Sequence, residues 1–286
     1  MVRTVLLSLA FLLAAGPLEA ERYKGFPRGH ALIGAAELNS LLRGPGPGPA
    51  VLAAVGKRAW LLGHIPGARH APRRAYTDRG GMAMDRARFQ AFARGLDIDD
   101  DTPVVVYDNA YDAARLWWLF RLYGKTDVRV LDGGWRAWDE AGYAVERGPG
   151  RAAPDAGTFT AAPALDGWTA GFDEVAQARP DAGTHLWDAR DIPEWKGTGP
   201  IGEARFIGWR AFRRADEGRP SEFRTAAEIG ALLRQSGFEP AQDHIFYCHS
   251  GVRAATPMFA LYLMGYPEER LHLYDGSWME WSWRAR

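Results

Sequence analysis

Short runs of β-branched and aromatic residues alternate along the chain with longer apolar segments. The run Val104–Tyr107 is followed by a small polar loop and then by the apolar segment 115–124, which ends at glycine. The run 244–247 is followed in the same way by a polar loop and by the apolar segment 254–265. Because buried strands are short and glycine favours a helix end, each block predicts a strand, a loop and a helix.

The same elements follow each of these two predicted helices in the same order. A second short strand is predicted at Val128–Leu131 in the first block and at Leu271–Tyr274 in the second. The first of these strands leads into Asp132-Gly-Gly-Trp135 and the second into Asp275-Gly-Ser-Trp278. This internal repeat indicates two copies of one domain.

Earlier segments extend the repeat, although less closely. Gly63-His-Ile-Pro-Gly-Ala68 corresponds loosely to Gly199-Pro-Ile-Gly-Glu-Ala204. Candidate first strands lie upstream of these two segments, at 50–55 and 184–190. Strands that alternate with helices predict an α/β fold class with a mainly parallel sheet and helices on both faces.

The region between the copies is rich in Gly, Pro and Ala and has few large apolar residues, which is typical of a linker. We therefore expect a domain at 28–147, a linker at 148–164 and a second domain at 165–286.

The N-terminus has the three parts of a secretory signal peptide. Arg3 supplies a positive charge, an apolar run extends from Val5 to Ala15, and a small residue, Ala20, precedes Glu21. The apolar run is shorter than the roughly 20 residues of a membrane span. We expect 1–20 to be a signal peptide and the protein to be exported, into the periplasm if the Ala, Arg, Gly and Pro richness reflects a bacterial source. The alternative is an uncleaved N-terminal anchor.

Charge and composition exclude several classes of partner. Thirty-five basic and 35 acidic side chains give a formal net charge of zero, and no long run carries one sign. This balance argues against nucleic acid as a partner. No other segment is long and apolar enough for an integral membrane domain. The seven His and the single Cys lack the spacing of zinc ligands, so we expect no metal.

The single cysteine, Cys248, follows the predicted strand of the second copy directly. The carboxyl edge of a parallel sheet is where α/β proteins place their sites. Gly251 permits the backbone to bend, so that several amide N–H groups point inward, and the following helix adds partial positive charge at its N-terminus. Both effects stabilise a thiolate. The alternative is a buried structural thiol.

Together these motifs resemble the rhodanese family of sulfurtransferases in its tandem form, over nearly the whole mature chain. Cys248-His-Ser-Gly-Val-Arg253 resembles the six-residue active loop, and 63–68 resembles the N-terminal hallmark of a rhodanese domain. The two Asp-Gly-x-Trp blocks resemble the C-terminal hallmark. The first copy has Asp108 where a nucleophile would stand, so the resemblance implies a non-catalytic first domain and a catalytic second one.

The resemblance implies covalent catalysis by Cys248, which takes sulfane sulfur from a small donor as a persulfide and passes it to a thiophilic acceptor. The donor would be thiosulfate or a related compound, and the acceptor cyanide or a thiol, which could belong to a protein. No metal and no organic cofactor are implied.

Six residues are candidates for substrate binding. Arg190, in an Asp-x-Arg pattern, would bind the donor's oxyanion or brace the loop through a salt bridge with Asp188 or Glu194. Arg253 would favour an anionic donor or cap the loop. The remaining candidates would act chiefly through backbone N–H groups, with a further proton-exchange role open to the histidine: His249, Ser250, Gly251 and Val252.

The loop departs from two well-known versions in the family. The vertebrate thiosulfate type reads Cys-Arg-Lys-Gly-Val-Thr and the mercaptopyruvate type Cys-Gly-Ser-Gly-Val-Thr. Here His249 and Ser250 supply no cationic pair, while Arg253 replaces Thr. The loop-end Arg favours thiosulfate, and 3-mercaptopyruvate is the alternative.

Three other functions use a cysteine or a domain pair of this kind. A cysteine phosphatase or arsenate reductase places one residue more between Cys and Arg than the four found here. A sulfane-sulfur carrier without turnover needs the same cysteine, so the sequence barely separates it from an enzyme. A purely structural domain pair would not need an intact Cys248 loop.

Overall fold

The computed structural model describes residues 23–150, 155–216 and 219–285, and the predicted signal peptide, 1–20, lies outside them. Strands and helices alternate in two successive sets. The first set comprises β1 Leu32–Ile33, α1 Ala35–Arg43, β2 Ala50–Ala53, α2 Lys57–Leu62, β3 Arg69–His70, α3 Arg86–Gly95, β4 Val104–Tyr107, α4 Asp112–Leu122, β5 Val128–Leu131 and α5 Gly134–Glu140.

The second set has the same order with one insertion, a two-stranded hairpin. It comprises β6 Thr169–Ala170, α6 Phe172–Gln177, β7 Thr184–Asp188, α7 Ile192–Thr198, β8 Arg205–Phe206, the hairpin β9 Arg213–Asp216 and β10 Arg219–Phe223, α8 Ala226–Gln235, β11 Asp243–Tyr247, α9 Ala255–Leu263, β12 Leu271–Tyr274 and α10 Ser277–Arg284.

Each set builds one five-stranded sheet, and the two sheets have equivalent topology. The strand orders are β1-β5-β4-β2-β3 and β6-β12-β11-β7-β8, and all neighbouring strands in both are parallel. Every residue of β4 is buried, as expected for a central strand with helices on both faces. The predicted fold class, two tandem α/β domains with mainly parallel sheets flanked by helices, is confirmed.

Equivalent hydrogen bonds mark the duplication. The backbone N–H of Ile65 donates to the hydroxyl of Tyr107, at the end of β4, over 3.3 Å. In the second domain the N–H of Ile201 donates to the hydroxyl of Tyr247, at the end of β11, over 2.9 Å. The loosely matching segments 63–68 and 199–204 therefore occupy corresponding places.

The two domains meet along α4 and α9, which pack against each other with large aromatic side chains. The ring centroid of Trp117 lies 4.6 Å from that of Phe259 and 4.9 Å from that of Tyr262. All nine residues of α9 are buried. One continuous apolar core includes side chains of both domains.

Two aspartates, one from each domain, accept hydrogen bonds across the same interface. Asp132 of the first domain accepts a hydrogen bond from the backbone N–H of Phe223 over 2.7 Å. Asp275 of the second accepts one from the N–H of Ala83 over 2.6 Å. Each Asp-Gly-x-Trp block thus binds backbone of the other domain.

The described part of the predicted linker packs on the first domain. Phe159 is 2% exposed, and its ring meets that of Phe89 at 6.3 Å. The N–H of Gly157 donates to the carbonyl of Arg94 over 2.8 Å, and that of Thr158 to the carboxylate of Asp99 over 2.7 Å. Across the described ranges, no helix combines the length and apolarity that crossing a membrane requires.

His244, near the start of β11, is buried and neutral. Its Nδ1 accepts a hydrogen bond from the indole N–H of Trp187 over 2.9 Å, so the ring proton is on Nε2, which donates to the carbonyl of Glu239 over 3.0 Å. The ring stacks on Phe238 at 3.8 Å between centroids. Burial lowers the pKa of His244 to about 4.

Candidate active site

Cys248 lies directly after β11, at the carboxyl edge of the second sheet, and is 1% exposed. The neighbouring strand β7 ends beside it, since Tyr247 pairs with Asp188. Strand pairing therefore fixes the backbone that enters the loop 248–253, which we call the Cys248 loop. The thiol therefore lies between the carboxyl end of the sheet and the N-terminus of α9, where α/β proteins place their sites.

Ser277, the first residue of α10, holds the Cys248 loop from one side. Its hydroxyl oxygen accepts hydrogen bonds from the N–H of Cys248 over 3.1 Å and of Gly251 over 2.9 Å, and it donates to the carbonyl of Tyr274 over 2.8 Å. Ser277 is fully buried and has φ of +49°, a left-handed conformation that is unfavourable for a residue with a Cβ. The conformation persists because the surrounding contacts hold it.

Backbone at the start of α10 also binds carbonyls of the Cys248 loop. The N–H of Trp278 donates to the carbonyl of Cys248 over 3.1 Å, and that of Met279 to the carbonyl of His249 over 3.0 Å. Gly251 adopts φ of +74°, which turns the chain back toward α9. The loop is therefore closed by the residues that follow β12.

Four backbone N–H groups of the Cys248 loop donate to no acceptor within the described ranges: those of His249, Ser250, Val252 and Arg253. The N-terminus of α9 begins immediately after them, at Ala255. Uncommitted amides at the start of a helix favour a negative charge on the group that they surround.

The first domain contains the same loop, with a carboxylate in it. Asp108 follows β4 as Cys248 follows β11, and its carboxylate oxygens accept hydrogen bonds from the N–H groups of Ala110 over 3.1 Å and Ala113 over 2.6 Å. Burial raises the pKa of Asp108, while the charge of Arg213 and these amides oppose that effect. The loop after the central strand thus binds a carboxyl group through its amides in one domain and surrounds a sulfur in the other.

Arg253, which ends the Cys248 loop, forms ion pairs with two carboxylates at the start of α7. Its guanidinium donates to Glu194 over 2.8 Å and to Asp191 over 2.8 Å. Partial burial is the largest single effect on Arg253 and disfavours its charged form, but the hydrogen bond to Glu194 and the negative charges around the guanidinium, including those of Glu194 and Asp191, together outweigh it and raise the pKa of Arg253. In return, the bond from Arg253 lowers the pKa of Glu194. Arg253 is therefore a charged brace between the loop and α7.

Arg190 is 1% exposed and has three protein partners. It pairs with Asp188 at 2.5 Å and donates to the hydroxyl of Thr198 over 2.7 Å and to the carbonyl of Gly199 over 2.6 Å. Its guanidinium also lies 4.3 Å from the ring centroid of Trp278. These contacts are those of the bracing alternative, and direct contact of Arg190 with a donor stays a prediction.

The side chains of His249 and Ser250 lie at the mouth of the loop. The His249 side chain is 52% exposed, and its Nδ1 lies 4.0 Å from a carboxylate oxygen of Glu194. Gly251 and Val252 are buried. The structure thus brings the predicted loop residues together around Cys248. Among the described residues, no three His, Cys, Asp or Glu side chains are grouped so as to hold a metal ion.

Comparison with known proteins gives the same result for both halves of the chain. The sequence matches the family described as Rhodanese-like domain over residues 35–141 and again over 172–283. The chain belongs to the rhodanese-like family. It is a sulfurtransferase.

Relatives of this rhodanese-like protein support that assignment. It is 29% identical over 244 residues to thiosulfate sulfurtransferase of Bos taurus, covering 80% of each chain. It is 32% identical over 217 residues to the Mus musculus enzyme of the same name, covering 71% of each. The solved structure of SseA from Escherichia coli, described as a 3-mercaptopyruvate sulfotransferase with the rhodanese fold, has a TM-score of 0.77 at 26% identity, with 87% of this chain and 98% of that chain covered.

Sequence reasoning missed two residues of this rhodanese-like site, Ser277 and Asp191. A signal for Ser277 was present, because the two Asp-Gly-x-Trp blocks differ at that position alone, with Gly134 in the first domain. A Cβ on Gly134, which has φ of +55°, would lie 2.3 Å from the carbonyl oxygen of Asp108. The first domain therefore requires glycine, whereas the second has a serine whose hydroxyl binds the loop.

Proposed function

We propose that Cys248 carries sulfane sulfur as a persulfide, which it takes from thiosulfate and gives to cyanide or a thiol. One observation carries this assignment. The loop that binds the Asp108 carboxylate in the first domain surrounds Cys248 in the second, where four amide N–H groups remain uncommitted among the described residues. Such a loop suits a sulfur that carries negative charge.

The reaction balances in two displacements. The Cys248 thiolate attacks the outer sulfur of thiosulfate, an S–S bond forms to the cysteine, and the S–S bond of thiosulfate breaks with sulfite leaving with the electron pair. Cyanide then attacks the outer sulfur of the persulfide, and the cysteine leaves as a thiolate with thiocyanate as product. Each step transfers one sulfur and no net charge, so no oxidant, reductant or cofactor enters.

The uncommitted amides would act on the outer sulfur of the persulfide. Hydrogen bonds to charged groups contribute about 1.5–3 kcal/mol each. Because Ser277 already accepts hydrogen bonds from the N–H groups of Cys248 and Gly251, the amides left for sulfur are those on either side of Gly251. This division lets one side of the loop be braced while the other side binds sulfur.

The charge at the rim bears on the choice of donor. Arg253 supplies a cation that favours the thiosulfate dianion, and we propose thiosulfate on that ground. The pairing of Arg253 with both Glu194 and Asp191 favours 3-mercaptopyruvate, a monoanion, as the second candidate. Two carboxylates beside one guanidinium reduce the net positive charge that a dianion would meet.

A comparison of donors tests the proposal. Purified protein would be incubated with thiosulfate or with 3-mercaptopyruvate, the Cys248 persulfide detected by mass spectrometry, and thiocyanate measured after cyanide is added. We expect persulfide and repeated turnover with thiosulfate, and neither with Cys248→Ser, which should stay folded. Turnover with 3-mercaptopyruvate alone would change the donor, and transfer by Cys248→Ser would overturn the mechanism.

Turnover also separates an enzyme from a sulfur carrier for a partner protein. We propose a small or protein thiol as the cellular acceptor, because the 1% exposure of Cys248 requires an acceptor that reaches into the loop. A single equivalent of persulfide without turnover would indicate a carrier.

We further propose that residues 1–20 direct export, which in a bacterium means the periplasm. The charged start, the apolar run and Ala20 support this. Sequencing of the mature N-terminus from fractionated cells tests it, and Glu21 is the expected first residue. An intact N-terminus in the membrane fraction would indicate an anchor.

A further inference from the structure

The first domain places a buried cation beside the Cys248 loop. Arg115, in the first turns of α4, is fully buried, and its Nη2 lies 2.6 Å from a carboxylate oxygen of Asp275 in the second domain. The guanidinium also lies 4.6 Å from the ring centroid of Trp118. A buried charge is costly unless it is compensated, so the Asp275 carboxylate stabilises Arg115 in this position.

The same ion pair lies against the backbone of Gly251. A Cβ built on Gly251 would lie 2.5 Å from Oδ1 of Asp275 and 3.3 Å from Nη1 of Arg115. The glycine is therefore required both by its φ of +74° and by the space that the ion pair fills. The first domain thus packs directly on the turn of the catalytic loop.

Asp275 also connects Arg115 to the residue that holds the loop. It lies two positions before Ser277, whose hydroxyl binds the N–H groups of Cys248 and Gly251. Its second carboxylate oxygen accepts the N–H of Ala83 from the first domain over 2.6 Å. Asp275 is thereby fixed from the first domain at both oxygens.

We propose that Arg115 is a positioning residue for sulfur transfer, through which the non-catalytic domain fixes the Cys248 loop. None of its three guanidinium nitrogens donates a hydrogen bond of good geometry within the described ranges, so charge and packing hold it. Without Arg115, the space beside Gly251 opens and Asp275 loses its counter-charge. The turn can then relax and the uncommitted amides lose their alignment.

Arg121 provides a matched control on the same helix. It also pairs across the domain interface, with Glu268 at 2.6 Å, and its guanidinium lies 5.3 Å from the ring centroid of Tyr262. Arg121→Met therefore removes an interdomain ion pair from α4 without touching the Cys248 loop. A role of Arg115 limited to joining the domains would give the two variants the same behaviour.

The experiment uses the full chain with Arg115→Met, Arg115→Lys and Arg121→Met. The first readout is kcat and KM for thiosulfate, and the second is the pH dependence of Cys248 alkylation by iodoacetamide, which is specific because the chain has one cysteine. The charged groups around the loop are unchanged in these variants apart from residue 115: Asp191, Glu194, His249, Arg253 and Asp275.

Arg115→Met should lower kcat about ten- to one-hundredfold, the scale of a misplaced reacting group, with KM within about twofold. The midpoint of alkylation should move to higher pH, because the thiolate loses aligned amides. Arg115→Lys, which keeps the charge, should restore most of both values, and Arg121→Met should change neither. Wild-type kcat and alkylation in Arg115→Met, or an equal loss in Arg121→Met, would overturn the proposal.

If Arg115→Met does not fold, the double variant Arg115→Met/Asp275→Asn leaves no unpaired buried charge and should fold. It should show the same loss of kcat, and wild-type kcat there would also refute the role of Arg115. The inference rests on the proposed function, but the two can fail separately. Inactivity of the wild-type protein with thiosulfate would contradict only the proposed function, because the alkylation profiles report on the Cys248 loop without any sulfur donor.

Discussion

Ser277 offers a direct measure of how strongly the Cys248 loop is held. Ser277→Ala removes the hydroxyl that binds two buried N–H groups, those of Cys248 and Gly251, and keeps the Cβ at φ of +49°. Ser277→Gly removes the same hydroxyl and also removes the Cβ, as at Gly134 in the first domain. The pair of variants therefore separates the hydrogen bonds from the backbone strain.

The magnitudes follow from these contacts. A buried donor left without an acceptor costs about 1–3 kcal/mol, so losing the acceptor of two N–H groups should lower the free energy of unfolding of Ser277→Ala by about 2–6 kcal/mol. Glycine relieves a left-handed conformation that costs roughly 1–2 kcal/mol and loses part of this gain to the greater entropy of the unfolded chain. Ser277→Gly should therefore be about 1 kcal/mol more stable than Ser277→Ala.

Urea unfolding and thiocyanate formation test both parts. Sulfur transfer should fall by about ten- to one-hundredfold in both variants, because the loop amides lose their fixed positions. Ser282→Ala is the control, since Ser282 is a partly buried serine of α10 whose hydroxyl donates a hydrogen bond within that helix, to the carbonyl of Met279. Wild-type stability and kcat in Ser277→Ala would show that the hydroxyl does not hold the loop, and a Gly variant less stable than the Ala variant would refute the assigned strain.

Two further variants test the rim charge and the buried histidine. Glu194→Gln frees part of the charge of Arg253, so KM should fall more for thiosulfate than for 3-mercaptopyruvate in steady-state assays; equal shifts would contradict a role of this charge in donor choice. The lowered pKa of His244, about 4 against an ordinary 6.5, means that stability is fully present above pH 6.5 and is lost as the pH falls toward 4, by about 2 kcal/mol at pH 5. In His244→Asn the amide oxygen can still accept the hydrogen bond from Trp187, but the titrating group is gone. The fall in the free energy of unfolding between pH 7 and pH 5, measured by urea unfolding, should therefore be about 2 kcal/mol smaller than in the wild type. An unchanged fall would assign the acid sensitivity to other groups.

Much of the fold was predictable because the apolar composition of the central strands and the interface helices indicates that these elements are buried. The strands β4 and β11 are buried at nearly every position, and the segments that form α4 and α9 consist mainly of apolar residues, which predicts elements covered on both faces. The edge strands β1 and β6 were not predicted. Each has two residues and is defined by pairing with a neighbour, which leaves no periodic pattern in the chain.

The site was predictable as far as the loop and no further. The position of Cys248 after a predicted strand and the glycine at 251 follow from local sequence. The partners of Arg253 and the neighbour of Gly251 do not, because Glu194 and Arg115 come from distant segments. The Asp-x-Arg pattern offered Asp188 as a partner of Arg190, but the sequence does not show that Thr198 and Gly199 also bind this side chain. Such contacts depend on tertiary packing and have no local signal.

The apolar core shared by α4 and α9 has a consequence for the history and the cooperativity of the chain. Separating the halves would expose the largely apolar surface of α9 and leave Asp275 without the N–H of Ala83. Neither half can therefore change its packing alone. We expect heat to unfold the protein in a single calorimetric transition. A gene duplication has then produced one thermodynamic unit, in which the copy without a nucleophile is retained because it stabilises the other.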